Sequence, residues 1–476
     1  MAIKDFSRFL LYRWRFIIGY SLIGLLLAGM LVFAGLFVPG GLTDAEKQSV
    51  ITSESLNTGD LLTFVVPHLP YHLLQAASME AFGISEFSIK LPSLILGLIA
   101  AVGLILLLRR WFRPNIAVLA SLIAVATGQF LFLAQNGTPL VMYIFWPVAL
   151  LLLGTQITRV KRARLLWKLL FTATVAISLY SPLALYPLLA ILLTIVLHPH
   201  LRTAVRRLSK PMVAGAISLF ALLIAPLVWM LSTAPGPGLT LLGVPEQWPS
   251  VIANAQLLIS QFFMFWSPTA TTILTPVFGL ASFMLIVIGV YRLIQTRETT
   301  RSYLIIIWSL ALIPVLLVNP EYTSIVFIPA VLLLAAGLTS IINYWYQLFP
   351  LNPYARITGL IPLVVLVISL IGAGLDRYVY GYHYSPSAAG VFSRDLALLP
   401  SESQTLLVTP EERPFYDAVS AYRPGLIVVT KSQASTFTAT RAARPVTPEG
   451  FVVSRIITSA AASEADRFYR YQKTVE

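Results

Sequence analysis

The chain has 476 residues, 57 % of them hydrophobic and only 11 % charged, against roughly 45–50 % and about 25 % in soluble domains. That ratio excludes a water-soluble protein, and the absence of cysteine excludes disulfides, thiolate metal sites and cysteine nucleophiles. The formal charge of +13 would suit nucleic acid, but it sits in short clusters between apolar runs, where Lys and Arg anchor lipid headgroups.

The first run, "IIGYSLIGLLLAGMLVFAGLFV" at 17–38, is long enough to cross a bilayer core of roughly 30 Å. It continues into an acidic loop without a small-residue cleavage site and reads as a retained span. Further runs fall at about 91–108, 116–133, 139–155, 166–180, 182–197, 211–231, 270–291, 302–318, 322–341 and 357–375, giving eleven expected spans. In lipid the backbone must satisfy its own hydrogen bonds, so these are helices.

Basic clusters occupy alternate connections: Lys4 to Arg15, Arg109 to Arg113, Arg159 to Lys168, Arg202 to Lys210, Arg292 to Arg301, and Arg356. The positive-inside rule makes these connections, and the N-terminus, cytoplasmic. Parity then requires two crossings between 168 and 202, with Tyr180, Ser181 and Pro182 as the turn. Apart from Asp5 and Glu298 the acids fall on the outer side, and none lies deep in a span. Ion-coupled transporters place such groups at mid-membrane, so an ion pathway is disfavoured.

Three outer pieces are large enough to carry function. These are the first loop at about 39–90, a second at about 232–269 with an interfacial aromatic stretch, and the tail from 377 to 476. The tail's "QTLLVT" and "GLIVVT" read as short strands flanking a helix, "EERPFYDAVSAY". The expected architecture is an all-α polytopic membrane domain over 1–376, followed by a small extracytoplasmic α/β domain over 377–476.

The first loop carries the candidate chemistry. Asp44 and Glu46 lie just beyond the first span, with Lys47 adjacent, so carboxylates are held at the outer surface. A sugar on a polyprenyl phosphate has its reactive carbon just outside the bilayer. Its phosphate leaving group needs cations, and the attacking hydroxyl needs one carboxylate to take its proton. Asp44 fits the base, and Lys47 and Lys90 the phosphate. Thr43 to Glu46 also reads as a capping box, with Glu46 reaching back to the cap amide. His68 and His72 would share a helix face, a weak metal signal, although Pro67 and Pro70 place them only at a helix start. Asn136, Gly137 and Thr138 form a sequon better read as a turn.

These features resemble the C-type membrane glycosyltransferases of the protein O-mannosyltransferase and lipid A aminoarabinose transferase kind. The resemblance is carried by Asp44 to Lys47 and by "PHLPYHLLQAASMEAFGISEFSIKLPSLILG" at 67–97. The matching positions are Pro67, His68, Pro70 and Tyr71, then Phe82, Gly83, Ser85 and Glu86, then Lys90 to Ser93. It implies inverting transfer of a sugar from a polyprenyl-phosphate donor to a glycan, lipid or protein acceptor at the outer face of the plasma membrane, without nucleic acid. The family's first-loop aspartate falls on Asp44. The chain departs from the family pattern in two places: Ala45 and Lys47 stand for its Glu and Arg, and Gln135 and Asn136 stand where many relatives have a second acid. A second carboxylate would then come from Glu246, Glu321 or Asp376.

The expected site is therefore Asp44 with Glu46 as catalytic carboxylates, and Lys47, His68, Tyr71, Lys90 and Arg377 around the substrate. No metal ligand is assigned, although a divalent ion is compatible with the chemistry. The altered acidic motif leaves one alternative, a non-catalytic protein of the same fold that binds a glycolipid or scaffolds an envelope complex.

Overall fold

The computed structural model describes residues 10–37, 41–56, 59–159, 164–206, 209–233, 236–245, 247–265, 277–349, 353–380, 392–401, 405–431, 434–458 and 466–474. Residues 1–9 and Glu246, which carry two of the expectations above, lie outside these. The chain divides into two compact units, one of Met1–Leu31, Leu96–Ala134 and Leu140–Val379, the other of Val32–Ile95, Gln135–Pro139 and Tyr380–Glu476.

The first unit is helical, and each of the eleven apolar runs contains helix, although the run at 116–133 breaks at Thr127 and residues 277–279 of the run at 270–291 precede their helix. Six helices of the chain are long and apolar enough to cross a membrane: Glu86–Trp111, Pro139–Ile157, Lys210–Thr233, Thr300–Val318, Pro320–Leu348 and Ile361–Tyr378. A seventh crossing is formed if Pro114–Ala126 and Gly128–Gln135 count together across their 59° bend. Ile17–Gly29, Leu165–Ser178, Leu185–Leu197, Val251–Phe263 and Leu280–Gln295 are shorter apolar helices. The protein is thus a multi-pass membrane protein with six or seven crossings among the described residues by this measure, which does not confirm the eleven expected.

The bend has a local cause. Thr127 takes an extended conformation (ψ 137°), its hydroxyl donates to the Ala124 carbonyl at 2.8 Å, and the same oxygen accepts the Phe130 amide at 3.3 Å. One side chain therefore closes one helix and opens the next. The reversal at Tyr180, Ser181 and Pro182 lies between helices Arg164–Ser178 and Leu185–Leu197, and the Trp146 indole N–H donates to the Ser181 hydroxyl at 2.8 Å. Elsewhere, helices Leu280–Gln295 and Phe327–Leu348 cross backbone to backbone. A Cβ on Gly289 would meet the Leu333 carbonyl, and one on Gly337 the Leu285 carbonyl. Close approach over small residues is how helices associate where no hydrophobic force separates lipid from protein.

The second unit joins the first loop to the tail. The tail contributes strands β1 (Thr405–Leu407), β2 (Ile427–Val429), β3 (Thr436–Thr440), β4 (Phe451–Ile457) and β5 (Phe468–Lys473), in the order β2-β1-β3-β5-β4. The β1 strand runs parallel to β2 and β3, and β5 antiparallel to β3 and β4. The expected helix is present as Arg413–Ala421, between β1 and β2. One core serves both segments: Leu42, Val50, Met79 and Ile89 of the loop pack with Leu406, Val408, Phe415, Tyr416 and Phe468 of the tail. Burying each such side chain contributes about 1.5–3 kcal/mol. The loop therefore groups with the tail rather than with the spans as expected.

Candidate functional site

Helix Asp44–Glu54 starts from a complete capping box. Thr43 Oγ1 accepts the Glu46 amide at 3.2 Å, and Glu46 Oε2 accepts the Thr43 amide at 2.7 Å. Glu46 does more than cap, because its Oε1 accepts the Gly137 amide at 2.6 Å and lies 3.5 Å from the Lys90 ammonium. Lys90 in turn donates to the Gly41 carbonyl at 2.7 Å. Both side chains are buried, at 3 % exposure for Lys90 and 1 % for Glu46. An interior ion pair persists only when further hydrogen bonds satisfy it, and here they do.

Gln75 ties the same knot from helix Leu69–Phe82. Its amide donates to the Ile89 and Gly137 carbonyls at 3.0 and 2.8 Å, while its oxygen accepts the Ser49 and Ser53 hydroxyls at 2.8 and 2.7 Å. Gly41, Leu42, Thr43 and Glu46 are all buried, and between them Asp44 is exposed. The loop thus presents one unspent carboxylate on a short helix end locked to two other segments. Gly41 holds φ +53° with its α-carbon against the Ser393 backbone, a place and conformation that only glycine fits.

The expected site residues are distributed differently from the sequence reading. Glu46, assigned as a second catalytic carboxylate, has both oxygens engaged and is sealed from solvent. Lys90, assigned to the phosphate, is bound to Glu46 and Gly41 instead. Tyr71, assigned to substrate, is wholly buried, with its hydroxyl 2.8 Å from that of Ser93. His68 is buried at the cap of helix Leu69–Phe82 with φ 59°. Burial, then the neighbouring His72, lowers its pKa to about 3. Burial likewise lowers His72 to about 4, and its Nδ1 lies 2.8 Å from the Ser53 hydroxyl. Both rings are therefore neutral near pH 7 and add no positive charge. Among the described residues no three His, Cys, Asp or Glu side chains converge as a metal site, so the histidine pair lacks a third ligand.

Lys47 remains partly open. Its ammonium is 3.4 Å from Asp395 Oδ2 and 5.5 Å from the Phe415 ring centre. In the other unit, at the end of helix Leu360–Tyr378, Arg377 has buried Nε and Nη2 atoms without a hydrogen-bond partner. Burying two guanidinium nitrogens without hydrogen-bond partners is costly. Glu321 and Asp376, the other carboxylates considered, are exposed.

Sequence reasoning missed Ser49, Ser53, Gln75, Gly137 and Asp395. Ser49 and Ser53, four apart, were a readable polar stripe facing inward. Nothing local marks Asp395.

The chain has the fold of the C-type membrane glycosyltransferases. Over residues 67–229 it matches the family described as dolichyl-phosphate-mannose-protein mannosyltransferase. It is similar to the crystal structure of ArnT from Cupriavidus metallidurans bound to undecaprenyl phosphate, with a TM-score of 0.59 and 13 % identity over 96 % of this chain and 97 % of that one. The apo state of the same protein gives a TM-score of 0.57 at 14 % identity, covering 96 % and 98 %. No curated protein matches in sequence.

Proposed function

We infer that the protein is a membrane glycosyltransferase that moves a sugar from a polyprenyl-phosphate donor to an acceptor hydroxyl at the outer face of the plasma membrane, with inversion. The reading is carried by one observation: Asp44 is exposed and unspent in the first turn of a helix whose flanking residues are all locked. A general base must be fixed yet free to take a proton. In the reaction the acceptor oxygen attacks the anomeric carbon, the bond from that carbon to the phosphate oxygen breaks, and Asp44 takes the hydroxyl proton. The phosphate leaves as an anion and needs positive charge rather than a proton donor.

Lys47 is the cation assigned to that phosphate. It is chosen because it stays partly exposed. The undecaprenyl phosphate in the similar ArnT structure supports a lipid-phosphate donor. Glu46 and Lys90 act here as the frame of the helix end. Membranes bearing Asp44→Asn should lose transfer from radiolabelled polyprenyl-phosphate sugars by about 100-fold or more, the low end of what a general base contributes, while expression is unchanged. Wild-type turnover in that variant would remove Asp44 from the mechanism.

The mutual neutralisation of Glu46 and Lys90 takes both charges out of any reaction, which favours one second reading: a non-catalytic glycolipid-binding or scaffold protein. Co-purification of lipid-linked glycan without transfer, across a panel of donors and acceptors, would select it.

A further inference from the structure

Asp44 and Lys47 stand at positions i and i+3 of one helix, so their side chains leave the same side within reach of each other. Left to themselves an aspartate and a lysine so spaced would pair. They do not: among the described residues Asp44 takes part in no ion pair, and the Lys47 ammonium instead lies 3.4 Å from Asp395. Asp395 prevails for two physical reasons. Its carboxylate is only 17 % exposed, so solvent and salt screen its attraction less than that of exposed Asp44. Phe415 also offers its ring face to the same ammonium at 5.5 Å.

The tail acid is held in register with the loop. Ser393 exchanges two backbone hydrogen bonds with Leu42, at 2.7 and 2.8 Å, and the Ser393 hydroxyl accepts the Asp395 amide at 3.3 Å. The two acids that compete for Lys47 each follow a partner of this bridge by two residues.

We propose, resting on the reading of Asp44 as general base, that Asp395 is a positioning residue that draws Lys47 off Asp44 and so leaves the Asp44 carboxylate unpaired and basic. An ammonium beside a carboxylate favours its charged form and makes it a weaker proton acceptor. The tail then contributes to the reaction electrostatically without touching the substrate.

Zero-length carbodiimide cross-linking of the purified full-length protein, read by peptide mass spectrometry, tests this without relying on turnover. Wild type should join Lys47 to Asp395. Asp395→Asn should replace that link with one from Lys47 to Asp44, and Asp395→Glu should keep it at position 395. A Lys47 to Asp44 link in the wild type, or none in a folded Asp395→Asn protein, would overturn the proposal. If Asp395→Asn does not fold, the wild-type and Asp395→Glu links decide.

Transfer adds a second arm: Asp395→Asn should slow it roughly tenfold, because the released lysine can then pair with the base. In a Lys47→Met background the same change should do nothing further, because the lysine it restrains is gone. An additive loss would mark Asp395 as merely structural and overturn the proposal. A wild type that transfers nothing from any donor, yet cross-links as expected, would instead sink the reading of Asp44 as base.

Discussion

The helix crossing at Gly289 and Gly337 and the socket around Asp44 both bring backbones close together, by different physics. At the crossing, side chains are absent: each glycine lies against a carbonyl of the facing helix, and the contact rests on shape. Around Asp44, side chains are present and spent: Glu46, Lys90 and Gln75 thread hydrogen bonds through residues 41, 43, 89 and 137. Shape suffices where a helix needs only to sit beside another in lipid. Presenting one charged group at a fixed point requires directional bonds, since a buried polar network is rigid only when every member is satisfied.

The comparison breaks most sharply at Lys90. Lys90→Met strands the Glu46 charge in the interior and should cost about 3–5 kcal/mol, whereas the pair Lys90→Met with Glu46→Leu should cost much less, because breaking a buried pair is worse than replacing it. Thermal unfolding in detergent measures both, and equal losses would show that Glu46 is not held by its charge. At the crossing, Gly337→Leu should destabilise by about 1–3 kcal/mol through overpacking, and no single partner change should rescue it.

The smallest effect at neutral pH belongs to the histidines of the socket. His68 and His72 are held near about 3 and 4, below the unfolded value of about 6.5. The unfolded chain therefore binds more protons between these values. Stability from these groups is fully present above about pH 6.5 and is lost as pH falls toward about 4 and then 3. His72→Gln should flatten the acid limb of a melting temperature against pH profile, and an unaltered limb would assign acid lability elsewhere.

Local contacts were legible in advance. The capping box from Thr43 to Glu46 spans three residues, and the reversal at Tyr180 followed from charge parity. Lys90 misled because its partner Gly41 is 49 positions away, and a lysine at a span's start reads equally well as a phosphate ligand or a headgroup anchor. Asp395 meets Lys47 across 348 positions, with no spacing to announce it.

By itself the sequence determined that the chain is a membrane protein, where its apolar helices run and which loop offers a carboxylate. Lipid imposes those features on composition and on short-range pattern. Only the tertiary structure decided that the loop and the tail share one core, that Glu46 and Lys90 neutralise each other, and that Asp44 stays free. Which charge meets which depends on chain segments brought together from far apart, and buried charges are settled by all their neighbours at once.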